Sequence, residues 1–163
     1  MGCGKTTVGR NLAGLLGLPF IDLDDTVAAR AGRSIPEIFR DDGEEAFRQL
    51  ETEALVAVIA QPAAVVATGG GILTREENRT RMAAAGVSIW LHLPFETILE
   101  RLGQEERRRR PLFQSAARAR ALYEERLPVY GQAEIKMELG AGESPETVAA
   151  AIASRIRGES CVT

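Results

Sequence analysis

The first seven residues contain the second half of a phosphate-binding loop, and this motif constrains the fold more than any other segment. In the full pattern G-x-x-x-x-G-K-[ST], backbone N–H groups cradle nucleotide phosphates, the lysine reaches the β- and γ-phosphates, and the hydroxyl binds Mg²⁺. Gly4, Lys5 and Thr6 fill the last three places, whereas the first glycine of the pattern would lie two residues before Met1. The motif predicts a loop that binds a nucleotide and leads into a helix. The alternative is that Lys5 and Thr6 merely begin a helix.

Length and composition are typical of one globular domain spanning residues 1–163. A chain of 163 residues can bury one core but is too short for two ordinary domains. With 45% hydrophobic residues, 26% charged residues and a net charge of −3, the composition indicates a soluble protein without general attraction to nucleic acid or membranes. Cys3 and Cys161 lack metal-ligand spacing, so we expect reduced thiols in a cytoplasmic protein. No apolar run approaches the roughly 18 residues that a membrane-spanning helix needs.

Apolar spacing and capping signals predict strands alternating with helices along the chain. Strands are predicted over about 19–22, 63–67, 87–93 and 134–139, and helices over about 5–16, 44–60, 95–102 and 115–126, with further helices starting at Ser34, Thr74 and Ser144. This alternation predicts an α/β fold with a parallel sheet flanked by helices on both faces. Because crossovers are right-handed, the phosphate loop, the acids after residue 21 and the glycines after residue 68 should meet at the carboxyl edge of the sheet.

Two acidic residues close the predicted strand over 19–22. Asp22 and Asp24 in isolation would be read as a solvated acidic turn. Because Thr6 predicts a phosphate-bound Mg²⁺, an ion that prefers oxygen ligands, one carboxylate is a candidate to hold that ion. A phosphoryl acceptor also needs a group that orients its hydroxyl, and the other carboxylate is a candidate for that role.

Two arginines and a run of glycines each allow two interpretations. Arg48 and Arg126 taken singly are typical of surface residues, and Arg48 has glutamates at helical spacing on both sides. A shared anionic ligand would explain both arginines together. The run Gly69–Gly71 after a buried strand indicates either a tight turn or backbone that approaches a ligand closely.

A lid is predicted at about residues 104–117, which include the basic run at 107–110. Arginine runs often mark nucleic-acid patches, but this run has no interleaved aromatic residues and lies in an acidic protein. We therefore expect the lid to bring one arginine onto the transferring phosphate, where it stabilises transition-state charge. His92 lies in an apolar strand and is expected to be structural.

Together these motifs resemble those of the shikimate kinases over nearly the whole chain. The matching segments, in the family's order and at similar spacing, are GKTTVGRNLA at 4–13, DLD at 22–24, GRSIPEIF at 32–39, FRQLE at 47–51, GGG at 69–71, RPL at 110–112 and RLPVY at 126–130. The first of these elements occurs in many nucleotide-binding families, whereas the combination is much more discriminating.

The resemblance implies a P-loop kinase with strand order 2-3-1-4-5, ATP and Mg²⁺ as cofactors, and transfer of the ATP γ-phosphoryl group to the 3-hydroxyl of shikimate in aromatic amino-acid biosynthesis. It implies nucleotide binding by Gly2, Cys3, Gly4, Lys5, Thr6, Thr7, Arg101, Arg110 and Pro145. It implies Mg²⁺ binding by Thr6 and Asp22, and shikimate binding by Asp24, Arg48, Gly69, Gly70, Gly71 and Arg126. Among these residues, Lys5, Asp24 and Arg110 would be catalytic. The enzyme is expected to be a monomer without nucleic-acid or membrane partners.

Two alternatives to this function are considered. Another small-molecule kinase of the same architecture, such as a gluconate kinase, would also use Asp24 with the two arginines for an acidic polyol. A non-catalytic nucleotide-binding protein that descends from a kinase is the second alternative. The GRSI and triple-glycine elements favour shikimate, and retention of Lys5, Asp22, Asp24 and Arg110 argues against loss of activity.

The family pattern also places a buried strand and the front of the phosphate loop before Met1. We therefore expect Met1 to be an internal methionine, with about ten residues that include strand 1 absent from this sequence. Neighbouring strands would then lose ladder partners, and each buried unpaired group costs about 1–3 kcal/mol. The chain as written is expected to be poorly stable or inactive, and a longer form to be active.

Overall fold

The structure is a computed structural model that describes residues 3–101, 115–140 and 142–158, apart from the side chain at position 101. Its four strands are β1 (Phe20–Asp22), β2 (Val65–Ala67), β3 (Ile89–His92) and β4 (Ile135–Glu138). The helices in the described ranges are α1 (Lys5–Leu16), α2 (Leu23–Ala31), α3 (Ile35–Asp41), α4 (Gly43–Ile59), α5 (Glu76–Ala85), α6 (Phe95–Arg101), α7 (Ala116–Tyr130) and α8 (Pro145–Arg157), and a 3₁₀ turn covers Ile72–Thr74. Within these ranges, no helix combines the length and the apolar character that a bilayer crossing requires.

All strand pairing in the described residues is parallel, as the α/β prediction requires. β1 pairs with β2, with Phe20 opposite Val65, and β3 pairs with β4, with Ile89 opposite Ile135. Each pair has its own core. The core behind β3 and β4 is formed with α1, α6 and α8, whereas the core beside β1 and β2 is formed with α2, α3 and α4. The predicted α/β fold class is confirmed.

A cleft of about 930 Å³ is lined by residues of both strand pairs. Val65 and Val66 of β2 line it, as do Ile89 and Leu91 of β3, together with Leu12 of α1. Within the described ranges β2 pairs only with β1, and β3 pairs only with β4. The two pairs correspond to the neighbours 2-3 and 4-5 in the strand order that the resemblance implies.

Several predicted helix ends are confirmed at the residue that ends or begins the helix. α1 ends before Gly17, whose left-handed φ of 66° suits glycine. Ser34 and Glu37 form the predicted capping box at the start of α3. Ser144 caps α8 by accepting a hydrogen bond from the N–H of Thr147.

Three boundaries differ from the prediction. Helix α2 follows β1 directly, because Asp22 acts as an N-cap and accepts a hydrogen bond from the N–H of Asp24. The helix expected from Thr74 instead begins at Glu76, since the Thr74 hydroxyl donates to the carbonyl of Gly71 at 2.7 Å within the 3₁₀ turn. Helix α7 continues past residue 126 to Tyr130 and contains Pro128, even though proline cannot donate a helical hydrogen bond.

Candidate active site

The N-terminus of α1 forms the phosphate side of the site. Gly4 has a left-handed φ of 81°, a conformation that glycine adopts without strain, and it directs the chain into the helix. Lys5, Thr6 and Thr7 form the first turn, which contains no acidic residue, so its free N–H groups and helix dipole favour an anion. Cys3 is buried in the core with α8, and the predicted nucleotide contact Gly2 lies outside the described residues.

The threonine and aspartate predicted to hold Mg²⁺ lie next to each other. The Thr6 hydroxyl donates to Asp22 Oδ2 at 3.1 Å, and Oδ1 of the same carboxylate accepts from the N–H of Asp24 at 3.1 Å. Capping of α2 therefore fixes the carboxylate beside the phosphate side of the site. A hydroxyl and a carboxylate oxygen are ligands of the kind that Mg²⁺ prefers, so this pair fits the expected ion.

Asp24 lies in the first turn of α2 and not at a strand end, which corrects the sequence-based placement. It is half-buried, and burial together with the negative charge of Asp22 raises the pKa of its carboxyl group, although Lys5 opposes the shift. Its Oδ1 is 3.2 Å from the point where a Cβ on Gly69 would lie. The carboxylate thus stands between the phosphate side and the glycine turn.

Arg48 is buried on α4 and held by two glutamates of the same helix. Its Nη1 donates to Glu51 Oε2 at 2.8 Å, and its Nη2 donates to Glu44 Oε1 at 2.9 Å. Both helical partners considered in the sequence analysis are therefore present. Glu51 is 1% exposed, its Oε1 has no hydrogen-bond partner among the described residues, and burial raises the pKa of its carboxyl group despite the nearby guanidinium.

Arg126 is the second buried arginine, on α7. It is 6% exposed, and its Nε has no hydrogen-bond partner in the described part of the chain. A buried cation with an unsatisfied donor is costly unless an anion or acceptor completes it. The position is therefore suited to a negatively charged ligand.

The run Gly69–Gly71 is the point where these side chains meet. The run forms a turn, but none of its glycines has a left-handed φ, so the backbone conformation of the turn does not require glycine. The close approach of neighbouring side chains does require it. A Cβ added at Gly69 would lie 2.9 Å from Glu51 Oε1, and a Cβ added at Gly71 would lie 2.2 Å from Arg48 Nη1. At Gly70 it would lie 2.3 Å from the hydroxyl of Tyr130. The side chains around this glycine turn are Asp24, Arg48, Glu51, Arg126 and Tyr130. This cluster is called the acceptor side, because the resemblance implies that shikimate binds there.

The remaining predicted nucleotide contacts are placed only in part. Pro145 occupies the first position of α8, and the adjacent Glu146 accepts a hydrogen bond from Asn11 of α1 at 3.2 Å. Arg110 and the side chain of Arg101 lie outside the described residues, as does most of the predicted lid at 104–117. Of that lid, Ser115 is the N-cap of α7.

Two residues of the site were given no role by sequence reasoning. Glu51 was named only as a helical partner of Arg48, and Tyr130 only as a neighbour of Arg126. Spacings of three and four residues from the two arginines were the available signals, because such spacings share a helix face. The signal at Tyr130 was hidden by Pro128, which usually ends a helix.

Comparisons with known proteins identify the family of the chain. A family model described as shikimate kinase matches residues 1–157. The shikimate kinase of Synechococcus elongatus is 45% identical over 149 residues, which cover 90% of this chain and 77% of the relative. That of Ruegeria pomeroyi is 39% identical over 162 residues, which cover 95% of this chain and 82% of the relative.

Solved structures give the same result. The shikimate kinase from Acinetobacter baumannii in complex with shikimate has a TM-score of 0.90 at 36% identity, covering 99% of this chain and 90% of that structure. The shikimate kinase from Aquifex aeolicus has a TM-score of 0.82 at 35% identity, covering 97% of this chain and 92% of that structure. The chain belongs to the shikimate kinase family.

Proposed function

We propose that this chain transfers the γ-phosphoryl group of ATP to the 3-hydroxyl of shikimate, forming shikimate 3-phosphate and ADP in aromatic amino-acid biosynthesis. Family membership and the relative that binds shikimate support this activity. The observation that carries it in this chain is the meeting of Asp24, Arg48 and Arg126 at the turn Gly69–Gly71. This acceptor side adjoins a helix N-terminus with the back half of a phosphate loop.

On the phosphate side, Lys5 and the N–H groups of residues 3–7 bind the ATP phosphates, and the proposed set includes Gly2. Thr6 and Asp22 would hold the Mg²⁺ that the family uses with ATP. Bound ATP with Mg²⁺ supplies the phosphoryl group in a partly neutralised form. Arg110 is proposed to reach this group from the lid, and Arg101 and Pro145 to flank the adenine.

On the acceptor side, the carboxylate of shikimate lies between Arg48 and Arg126. The unsatisfied Nε of Arg126 supports this placement, because a carboxylate would complete its hydrogen bonding. The backbone around Gly69–Gly71 contributes N–H groups, which side chains larger than hydrogen would displace.

Asp24 orients the attacking hydroxyl and receives its proton. The carboxyl group has a raised pKa, so its ionised form is a stronger base than an ordinary aspartate. The proton passes from the 3-hydroxyl oxygen to an Asp24 carboxylate oxygen as the new oxygen–phosphorus bond forms. Alignment and charge stabilisation supply most of the rate increase.

The proposal is tested by measuring ATP-dependent phosphorylation of shikimate, with ADP release and shikimate 3-phosphate both quantified. Gluconate as acceptor is the matched control. Phosphorylation of gluconate in preference to shikimate would replace the proposed acceptor. Calorimetric binding of ADP and shikimate without turnover would indicate the non-catalytic alternative.

The same assay addresses the expected strand 1. It is run on this chain and on a form extended at its N-terminus by a strand and the front of the phosphate loop. Activity confined to the extended form, together with a higher midpoint of urea unfolding, would support the expectation that strand 1 completes the fold. Equal activity and stability in the two forms would contradict it.

We further propose that the enzyme acts as a single-domain cytoplasmic monomer. All proposed contacts to ATP and shikimate come from one chain, so a second subunit is not required to complete the site. Sedimentation equilibrium of the active protein, with and without both substrates, measures this directly. An active species of twice the chain mass would overturn it.

A further inference from the structure

Tyr130, at the end of α7, connects the glycine turn to the rest of the acceptor side. Its hydroxyl donates a hydrogen bond to the carbonyl of Gly70 at 3.1 Å. It lies four residues, one helical turn, after Arg126, so both side chains project from the same face of α7. Nothing in the proposed phosphoryl transfer yet uses this residue.

Gly70 brings the tyrosine and the arginine together. A Cβ built on Gly70 would lie 2.3 Å from the Tyr130 hydroxyl oxygen and 3.3 Å from Arg126 Nη1, so both groups approach the same side of the glycine. Burial raises the pKa of the Tyr130 hydroxyl, although the neighbouring Arg126 opposes the shift. The hydroxyl therefore keeps its one proton and donates it to the Gly70 carbonyl, which leaves its oxygen as an acceptor facing the guanidinium.

The ring of Tyr130 contacts a second aromatic ring. The ring of Trp90, on β3, lies 5.9 Å from it between centroids at an angle of 48°. The phenol is thus held between a strand of the sheet and the glycine turn. The hydrogen bond from its hydroxyl ties the Gly70 carbonyl to the end of α7.

We propose that Tyr130 is a positioning residue for the acceptor carboxylate: its hydroxyl holds the glycine turn and the Arg126 guanidinium in the arrangement that receives shikimate. This inference rests on the proposed function. A group arranged before the substrate arrives lowers the entropic cost of binding, so its removal weakens substrate affinity more than it slows chemistry.

Tyr123 provides a matched control on the same helix. Its hydroxyl also donates to a backbone carbonyl, that of Leu93, at 3.0 Å. Its oxygen lies 3.1 Å from His92 Nε2, on the β3 side of the helix. Tyr123→Phe therefore removes the same kind of hydrogen bond from α7 without touching the glycine turn.

The test compares Tyr130→Phe, Tyr123→Phe and the unaltered sequence by shikimate calorimetry and steady-state kinetics. All three proteins are made in the form, as written or N-terminally extended, that is active. Tyr130→Phe should raise the dissociation constant and KM for shikimate about three- to tenfold, the usual effect of one lost hydrogen bond. Its kcat and its KM for ATP should change less than about twofold, and Tyr123→Phe should leave the affinity for shikimate unchanged. An equal loss of shikimate affinity in both variants, or no loss in Tyr130→Phe, would overturn the inference.

A second variant keeps the test independent of folding defects. Gly70→Ala places its Cβ against the Tyr130 hydroxyl and should weaken shikimate binding. Adding Tyr130→Phe removes the clashing oxygen, so the double variant should bind shikimate more tightly than Gly70→Ala alone. Weaker binding by the double variant would count against the inference. If neither the unaltered chain nor its N-terminally extended form binds or phosphorylates shikimate, the proposed function is overturned instead.

Discussion

The phosphate side of the site, at the N-terminus of α1, is open, whereas the acceptor side, around Gly69–Gly71, is closely packed. Thr6 and Thr7 are exposed, and a side-chain hydrogen bond links Thr6 to Asp22. On the acceptor side, Arg48 and Glu51 are 8% and 1% exposed and pair directly. The two regions proposed to serve one reaction therefore differ in how far their charged side chains are buried.

The difference indicates what each region contributes to stability. Buried charges are tolerated only when they are paired or bind an oppositely charged ligand. Residues of the acceptor side consequently support the folded state and the substrate together. The phosphate side uses backbone N–H groups and solvated side chains, so its residues should matter for catalysis and little for folding.

The largest expected effect is on the phosphate side. Lys5→Met should lower kcat about 10²- to 10³-fold, the usual loss when one group that stabilises transition-state charge is removed. The free energy of unfolding should change by less than about 0.5 kcal/mol, because the residue is partly exposed. Coupled-assay kinetics and urea denaturation measure the two quantities.

Arg10→Met is the control for Lys5→Met. It removes a positive charge from the same helix, but from an exposed side chain that lies over the ring of Phe20. Its kinetic constants should stay within about twofold of the unaltered chain. A large loss of stability in Lys5→Met would contradict the proposed separation between the two sides.

Glu51→Ala, on the acceptor side, should lower stability strongly, in contrast to Lys5→Met. Loss of this carboxylate leaves the buried Arg48 with Glu44, which is largely exposed, as its described partner. Breaking a buried ion pair costs about 3 kcal/mol or more, so the unfolding free energy should fall by that amount and affinity for shikimate should fall with it. Denaturant unfolding with and without shikimate measures both changes.

Glu53→Ala is the matched control for this variant. Glu53 lies half a turn further along α4, is exposed, and accepts a hydrogen bond from Gln49 at 3.2 Å. Its unfolding free energy should change by less than about 0.5 kcal/mol. Equal losses in the two glutamate variants would show that burial of the Arg48 pair is not the cause.

Gly71→Ala is expected to have a smaller effect, confined to the binding of shikimate. The added Cβ would lie 2.2 Å from Arg48 Nη1, so the guanidinium must shift away from its present place. KM for shikimate should rise about tenfold, since overpacking of this kind costs about 1–3 kcal/mol. Gly14→Ala is the control, because a Cβ there meets no atom within 4 Å and lies in the exposed interior of α1. That change should raise stability by about 0.5–1 kcal/mol.

Local signals predicted the elements whose ends depend on nearby residues. Helix α1 follows from apolar spacing and Gly17, and α3 follows from the Ser34–Glu37 capping box. Asp22 ends β1, as predicted, but it is also the N-cap of α2, and this second role was missed. The extension of α7 to Tyr130 was missed because the environment of the helix overrides the local effect of Pro128.

The chemistry of the site was predictable in kind but not in geometry. Residue types and the family resemblance identified Arg48, Arg126 and the glycine run. The sequence contained no signal that Tyr130 would donate to Gly70, sixty residues away, or that Glu51 would be almost fully buried. Such contacts depend on how α4 and α7 pack around the turn, which is a property of the tertiary structure.

Asp24 lies between the two sides, and the pH dependence of stability shows which side dominates its environment. Burial and the charge of Asp22 raise the pKa of Asp24 above the ordinary 3.8, whereas Lys5 on the phosphate side lowers it. A raised pKa in the folded state means that the protonated carboxyl is favoured by folding. The contribution of Asp24 to the free energy of unfolding is fully present below its pKa in the unfolded state. This contribution is lost as pH rises through its pKa in the folded state.

The Asp24→Asn variant has no carboxyl group that titrates at this position. The free energy of unfolding of the variant minus that of the unaltered chain should therefore increase as pH rises from the unfolded to the folded pKa of Asp24, and then become constant. Urea denaturation of both proteins over a series of pH values from about 3 to 7 measures the difference. Glu51 also has a raised pKa, but it is present in both proteins and its contribution largely cancels. A difference that decreases with pH would mean that the charged carboxylate is stabilised by Lys5, and would assign Asp24 to the open phosphate side. An increase means that burial and the charge of Asp22 together outweigh the charge of Lys5 and set the strength of the base.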